Sequence, residues 1–146
     1  MVDIVRKGRA VWGGGLRDGS GQITSESRAL NAAPYEFSTR FEEKPGTNPE
    51  ELIAAAHAGC FSMALSATLT GKGKPPRRIE TEATCHLTKT KDGFSITKMD
   101  LDVVVDAPGL ALDELARILE EADAGCPVSN LLRTGLTIER RGRLAG

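Results

Sequence analysis

The 146 residues, 40% of them hydrophobic, are enough for one domain with a buried core. The formal net charge is −1, and the basic residues form no block, so the chain lacks the clustered positive surface typical of nucleic-acid-binding proteins. It contains no apolar run of about 18 residues and no N-terminal segment like a signal peptide. We therefore expect one domain over residues 1–146, located in the cytoplasm, with no nucleic acid and no membrane as partner.

The first third of the chain has the pattern of three short strands separated by turns. Residues 9–12 alternate in side-chain direction, and the glycines at 13–15 end this strand. Residues 22–26 can pair back with it as a hairpin. A third strand is predicted over residues 35–41, because its aromatic residues fall on alternate positions.

The clearest helix start in the chain follows this strand. Asn48 is predicted as the N-cap and Pro49 as the first helical residue, with Glu50 and Glu51 in the first turn. The helix is expected to continue from Leu52 to about residue 69. Its residues are small or apolar nearly all round, which is typical of a helix buried on most sides. In so small a domain, this burial indicates a sheet on one side and a second subunit on another.

The second half predicts a hairpin, a helix and a final strand. The odd-numbered residues from 79 to 87 share one face of the first strand, Asp92-Gly93 forms the turn, and a second strand runs to residue 105. The next helix is predicted to have an apolar stripe and Gly125 as its C-cap. The stripe consists of Leu112, Leu115, Ala116, Leu119 and Ala122.

A short turn through residues 130–132 is expected to lead to a last strand containing Leu136 and Ile138. The fold class is therefore α+β, with the order β-β-β-α-β-β-α-β and the buried helix at its centre.

The three cysteines have different surroundings. Cys85 lies on the apolar face of a strand and is interpreted as a small buried hydrophobic residue. Cys60 lies on the buried helix, where a core role is the usual one. Two neighbours point to reactivity instead: Gly59, which is unfavourable inside a helix, and His57, which is one turn away and could hydrogen-bond the thiol. His57 could equally be a satisfied core histidine.

Cys126 precedes Pro127 and a short helical turn, so it is a candidate N-cap. Backbone N–H groups and the helix dipole stabilise a thiolate at such a position. A simple capping role fits the segment equally well. The residues alone leave Cys60 and Cys126 as two unranked candidate thiols, and local electrostatics favour Cys126 as the thiol with the lower pKa.

Several segments together resemble the osmotically inducible protein C (OsmC) family. One block around the first candidate thiol reads FSTRF at 37–41, GTNPEELI at 46–53 and AHAGCFSMAL at 56–65. A separate block around the second reads AGCPVS at 124–129. Further agreement lies at 24–27 and 94–98, so the resemblance covers nearly the whole chain.

The resemblance implies an intertwined homodimer with two active sites at the subunit interface. It also implies that Cys60 is the peroxidatic cysteine, Cys126 the resolving cysteine, and Glu50 the active-site glutamate. The family's arginine would correspond to Arg40, and the alternative, from a related branch, is Arg17. We prefer Arg40 because the central block is of the OsmC type.

The activity implied by the resemblance is the reduction of organic hydroperoxides, and less well of hydrogen peroxide. Cys60 would become a sulfenic acid and then form a disulfide with Cys126, which an external thiol reduces. No cofactor and no metal is expected.

Two other functions remain open. A zinc site could use His57, Cys60, His86 and Cys126, although pairs spaced like structural zinc motifs are missing. Alternatively, the chain could be a non-catalytic module that binds an apolar ligand.

Overall fold

The computed structural model describes residues 2–134 and 139–141. Over these residues it has an α+β architecture, so the predicted fold class is confirmed. The elements follow in the order β1 Gly8–Gly13, β2 Ser20–Ser25, β3 Ala33–Glu36, α1 Phe37–Phe41, α2 Pro49–Gly71, β4 Arg78–Thr90, β5 Gly93–Asp106, α3 Leu112–Ala124 and α4 Pro127–Thr134. The predicted final strand with Leu136 and Ile138 lies outside the described residues.

The chain divides into two compact units, each built from two stretches that are distant in sequence. Unit 1 consists of Met1–Ile53 and Cys85–Lys98, and unit 2 of Ala54–Thr84 and Met99–Gly146. The single domain over residues 1–146 stays a prediction.

Unit 1 contains an antiparallel sheet in the order β1-β2-β3. Gly21 pairs with Trp12 on one side and with Tyr35 on the other. A Cβ atom at Gly21 would lie 2.6 Å from the carbonyl oxygen of Val11 and would also crowd both rings. Glycine is therefore required here, and it allows the Trp12 and Tyr35 rings to meet with centroids 5.3 Å apart.

The predicted strand over residues 35–41 is wrong in its second half, because β3 ends at Glu36 and Phe37–Phe41 form α1. The Thr39 hydroxyl donates to the backbone carbonyl of Glu36 at 3.0 Å and accepts a hydrogen bond from the backbone N–H of Glu36 at 2.9 Å. These local bonds compete with a strand ladder and start a helical turn. Phe37 and Phe41 then lie one turn apart, with ring centroids at 4.9 Å.

The predicted start of the central helix is confirmed. The Asn48 side-chain oxygen accepts from the N–H of Glu51 at 2.8 Å, and Pro49 is the first residue of α2. The Asn48 side-chain nitrogen donates to the carbonyl of Thr39 at 3.1 Å. The same cap thus initiates α2 and ties it to α1. The helix ends two residues later than predicted, at Gly71.

The β4–β5 hairpin follows the predicted pattern. Residues 79, 81, 83, 85 and 87 are partly buried, whereas 78, 80, 82 and 84 are exposed. Lys91 and Asp92 form the connecting turn, and Gly93 adopts a φ of +122° that favours glycine.

The core of unit 2 forms where α2 and α3 pack together. Phe61, Leu65 and Leu69 recur every four residues along α2 and are buried with Ile118 and Ala122 of α3. Cys126 belongs to the same cluster and is fully buried. The residue before α4 is therefore part of the core.

The predicted stripe of α3 needs a correction. Ile118 was not included but is fully buried, whereas Leu112 is 86% exposed and Ala116 is also exposed. At 3.6 residues per turn, Ala116 lies more than about 90° around the helix from Ile118 and Ala122. The turn predicted after Cys126 is also longer than expected, since α4 has eight residues.

By length and composition alone, α2 is apolar enough to cross a membrane, with a mean hydropathy of 1.6. The core helix of a soluble protein passes the same test. Of this apolar stretch, 22% is buried in the described structure, including Phe61, Leu65 and Leu69.

We expect Leu65→Ala to lower the free energy of unfolding by about 3 kcal/mol, because it leaves a cavity beside fully buried neighbours. Urea denaturation monitored by circular dichroism measures this change. Leu112→Ala is the matched control, since the same atoms are removed from an exposed position, and it should change stability by less than about 0.5 kcal/mol. Equal losses in both variants would contradict the assignment of the core.

Candidate active site

Two sulfur atoms that are distant in sequence meet in unit 2. The Sγ atoms of Cys60 and Cys126 lie 3.4 Å apart, and both cysteines are free thiols. A disulfide bond needs about 2.05 Å between sulfurs, so a small movement suffices to join them. The structure thus brings together the two thiols that the resemblance paired.

Cys60 lies deep in α2, eleven residues after its first residue, Pro49. The helix dipole acts within the first turn only, so it does not ionise this sulfur. Burial is the main cause that raises the pKa of the Cys60 thiol, and the neighbouring Cys126 adds to it, while the Val128 N–H opposes both. The surroundings of Cys60 within unit 2 therefore favour the neutral thiol.

Cys126 has the opposite tendency. Burial works against its ionisation, but hydrogen bonds from the side chain and N–H of Ser129, from Cys60 and from the Val128 N–H together lower its pKa. The Ser129 N–H lies 3.5 Å from the sulfur, at the N-terminus of α4. The prediction that local electrostatics favour Cys126 as the lower-pKa thiol agrees with this geometry.

His57 contacts a residue that the sequence analysis did not identify. Its Nε2 lies 2.7 Å from the Ser129 hydroxyl, and both residues are buried. The sequence had placed His57 as a possible partner of the Cys60 thiol instead. Only the three-residue spacing from the candidate N-cap Cys126 could have pointed to Ser129, and nothing local connected it to His57, 72 residues away.

The charge of His57 is set mainly by burial, which lowers its pKa. Asp123 raises that pKa and Arg133 lowers it. These two residues form an ion pair with each other, so their effects on His57 oppose one another. The imidazole is therefore neutral at physiological pH.

Unit 1 contains the predicted arginine–glutamate pair. Arg40 of α1 donates from Nη2 to Oε1 of Glu50 at 2.8 Å, and from Nε to Oε1 and Oε2 at 3.1 and 3.3 Å. Glu50, in the first turn of α2, is buried, whereas the Arg40 side chain is 37% exposed. The structure thus brings the two side chains together, and their role in catalysis stays a prediction.

Arg17, the alternative arginine, lies over the ring of Phe37 at 4.6 Å. Arg40 lies 5.0 Å from the ring centroid of Phe41. A cavity of about 260 Å³ opens beside these side chains in unit 1 and is largely aromatic. Its lining consists of Trp12, Leu16, Tyr35, Glu36, Phe37, Arg40 and Phe41.

The described surroundings of the third cysteine oppose its ionisation. Burial raises the pKa of the Cys85 thiol, and the negative charge of Glu50 raises it further. Cys85 is partly buried on β4. These observations agree with its interpretation as an apolar residue of the strand.

The zinc alternative finds no support in the described residues. Within 2–134 and 139–141, no group of three or more His, Cys, Asp or Glu side chains is arranged to hold a metal ion. Metal analysis of the purified protein remains the direct test.

Comparisons with known proteins identify the family of the chain. Residues 41–141 match the sequence model of the family described as OsmC-like protein. The chain is 48% identical over 138 residues to the Escherichia coli (strain K12) protein named peroxiredoxin OsmC, covering 94% of this chain and 96% of that protein. It is 30% identical over 122 residues to a protein named organic hydroperoxide resistance protein from Xanthomonas axonopodis pv. citri (strain 306), covering 81% and 82%.

The structural comparison leads to the same group. The organic hydroperoxide resistance protein OhrB of Bacillus subtilis superimposes with a TM-score of 0.64 at 26% identity, covering 88% of this chain and 91% of that chain. A family match over more than half of the chain, a relative at 48% identity and a shared fold all agree. The chain therefore belongs to the OsmC-like protein family.

Proposed function

We propose that the chain is a thiol peroxidase that reduces organic hydroperoxides, and hydrogen peroxide less well. The observation that carries this proposal is the 3.4 Å contact between the free thiols of Cys60 and Cys126. Relatives named peroxiredoxin and organic hydroperoxide resistance protein support a hydroperoxide-related redox role.

The reaction begins at Cys60. Its thiolate attacks the terminal oxygen of the hydroperoxide, the O–O bond breaks, and the alkoxide leaves and takes a proton to become the alcohol. Cys60 is then a sulfenic acid. Cys126 attacks that sulfur, water is released, and the Cys60–Cys126 disulfide forms. An external thiol reduces the disulfide by exchange.

The first step needs a positive charge, because burial raises the pKa of Cys60. We assign this charge to Arg40, as the family resemblance implies. Arginine stays protonated and offers a planar fork of donors. Nε and Nη2 of Arg40 donate to Glu50, which fixes the plane of the fork, and Nη1 takes no part in this pair.

The aromatic cavity beside Arg40 supports an organic substrate. A cavity lined by Trp12, Tyr35, Phe37 and Phe41 binds an alkyl or aryl group by burying apolar surface. Hydrogen peroxide has no such group and gains nothing from this surface. We therefore expect organic hydroperoxides to be the better substrates.

We further propose that the enzyme acts as the intertwined homodimer that the resemblance implies. Ala56, Gly59, Met63 and Ala67 form an exposed stripe along α2, and Met63 is 77% exposed. A Cβ atom at Gly59 would meet nothing within 4 Å, so the stripe is open to close approach by another helix. Free thiols also fit a reducing cytoplasm, where we place the protein.

Replacing Cys60 with serine is expected to abolish turnover of cumene hydroperoxide, because no nucleophile remains at that position. Cys126→Ser should reduce one equivalent of peroxide and stall with Cys60 as the sulfenic acid, or consume a second equivalent as excess peroxide over-oxidises Cys60 to the sulfinic acid, since no partner thiol closes the disulfide. Peroxide consumption and intact-mass spectrometry measure both outcomes. Cys85→Ser is the matched control and should keep full activity.

Thiol titration separates catalysis from simple binding. One equivalent of cumene hydroperoxide should remove two titratable thiols per chain from the unmodified protein. If no thiol is lost, the chain is a binding module, and if Cys60→Ser stays active, the proposed nucleophile is wrong.

Exchanging Arg40 for methionine should lower kcat/KM for cumene hydroperoxide by about 10²–10³-fold, because a preorganised charged donor is lost. Arg17→Met is the matched control and should stay within about twofold, since Arg17 packs on Phe37 and not on Glu50. Steady-state kinetics decide between the two arginines. A larger loss in the Arg17 variant would reverse the assignment.

The Met63→Glu variant should shift the protein from dimer to monomer at micromolar concentration, because it places a charge on the exposed stripe of α2. Sedimentation velocity gives the oligomeric state. Leu112→Glu makes a similar change at an exposed position of α3 and should stay dimeric. A monomeric parent protein, or a dimeric Met63→Glu variant, would argue against this interface.

A further inference from the structure

A line of buried hydrogen bonds ends at the sulfur of Cys126. Nε2 of His57 lies 2.7 Å from the Ser129 hydroxyl, the Ser129 N–H lies 3.5 Å from the Cys126 sulfur, and the Ser129 side chain lowers the pKa of the Cys126 thiol. His57 is 4% exposed, Ser129 5% and Cys126 0%. The proposed reaction uses Cys126 but gives no role to the other two.

Which group donates each hydrogen bond in this line follows from His57 Nδ1, the imidazole nitrogen that does not face Ser129. Among the described residues, His57 Nδ1 is the buried side-chain nitrogen or oxygen that has no hydrogen-bond partner. A buried N–H without an acceptor is rarely tolerated, so the proton belongs on Nε2. Nε2–H then donates to the Ser129 oxygen, and the Ser129 hydroxyl donates to the Cys126 sulfur.

The surrounding charges keep this arrangement fixed. The charged and titratable groups facing His57 and Cys126 are Cys60 on α2, Asp123 on α3 and Arg133 on α4. Burial lowers the pKa of His57, and the ion-paired Asp123 and Arg133 act on it in opposite directions. The imidazole therefore stays neutral and keeps one tautomer across the physiological pH range.

We propose that His57 and Ser129 are positioning residues that hold Cys126 ready as the nucleophile of the disulfide-forming step. This role rests on the proposed peroxidase function. The hydrogen bonds that link His57, Ser129 and Cys126 do not depend on that function. Ser129 acts directly on the sulfur, and His57 acts through Ser129 by fixing the direction of its hydroxyl.

The effect falls on the second chemical step. While Cys60 is a thiolate, its charge opposes a second thiolate 3.4 Å away. Once Cys60 is a neutral sulfenic acid, this opposition is gone, and the donors around Cys126 favour its thiolate. Cys126 loses its proton and attacks, the S–S bond forms as the Cys60 S–O bond breaks, and the hydroxide and the proton leave as water.

In this step the Cys126 sulfur is oxidised, and the Cys60 sulfur is reduced from the sulfenic level. A faster step shortens the time in which a second peroxide can oxidise Cys60 to the sulfinic acid. His57 and Ser129 therefore protect the enzyme against inactivation by its own substrate.

The first experiment titrates the Cys126 thiolate by its absorbance at 240 nm in a Cys60→Ser, Cys85→Ala background. Adding Ser129→Ala should raise the midpoint by about one pH unit, equal to a tenfold loss of thiolate stabilisation. Ser129→Thr keeps a hydroxyl and should restore the midpoint. His57→Leu should raise it, and His57→Gln, which offers an N–H near the same place, should restore most of it. An unchanged midpoint in both Ser129→Ala and His57→Leu would overturn the proposal.

The second experiment follows single turnovers of the full-length protein with cumene hydroperoxide. Ser129→Ala should leave sulfenic acid formation at Cys60 unchanged, slow disulfide formation about tenfold, and accumulate sulfinic Cys60. Equal rates of disulfide formation in Ser129→Ala and the parent would refute the role. If the parent protein forms neither sulfenic acid nor disulfide, the peroxidase proposal fails instead, and the titration still tests the hydrogen-bonded line.

Discussion

The packing of Cys126 into the hydrophobic core is the constraint on which the candidate site depends. Its side chain is fully buried in the cluster that joins α2 to α3. Because close-packed cores permit little movement, the same contacts that stabilise unit 2 also fix this sulfur 3.4 Å from Cys60. The contacts that stabilise unit 2 are therefore also the contacts that position the Cys126 sulfur. Loosening the core around Leu65 or Ile118 would also separate the two thiols.

The two sulfurs share a low-polarity environment but differ in their donors. Burial disfavours the thiolate at both positions, yet the N-terminus of α4 supplies hydrogen bonds to Cys126 that more than offset it. Cys60 receives an N–H from Val128 but remains a thiol in its own unit. This asymmetry means that ionisation of Cys60 requires a charge, whereas Cys126 needs only that Cys60 be neutral. The first proposed step therefore depends on the charge assigned to Arg40, whereas the second depends on donors within unit 2.

Much of the fold could be predicted because its signals are local. The Asn48-Pro49 cap and the alternation along β4 depend on neighbouring residues, and both are confirmed. The strand predicted over residues 37–41 is wrong because the four-residue spacing of Phe37 and Phe41 fits a strand face and a helical turn equally well, and the bonds between Thr39 and Glu36 decide between them. Ile118 was missed because the chosen stripe lay too far around α3.

The candidate site was less accessible from local patterns. Spacing alone left Cys60 and Cys126 unranked, and the family resemblance assigned their roles. The same resemblance paired Arg40 with Glu50, which the structure places in hydrogen-bond contact. Ser129 could not be predicted, because its link to His57 joins residues 72 positions apart and exists only after α2 and α4 have packed.

The buried polar pair of His57 and Ser129 is difficult to explain as a purely structural feature. An unpartnered buried nitrogen such as His57 Nδ1 costs about 1–3 kcal/mol, and two apolar residues of similar volume would pack in this cluster without that cost. A polar pair in a core stabilises a protein only when its hydrogen bonds are satisfied, and here one end is not. The other end reaches the Cys126 sulfur through Ser129. The free energy lost at Nδ1 is therefore best understood as the cost of fixing the tautomer that directs the Ser129 hydroxyl toward the reactive sulfur.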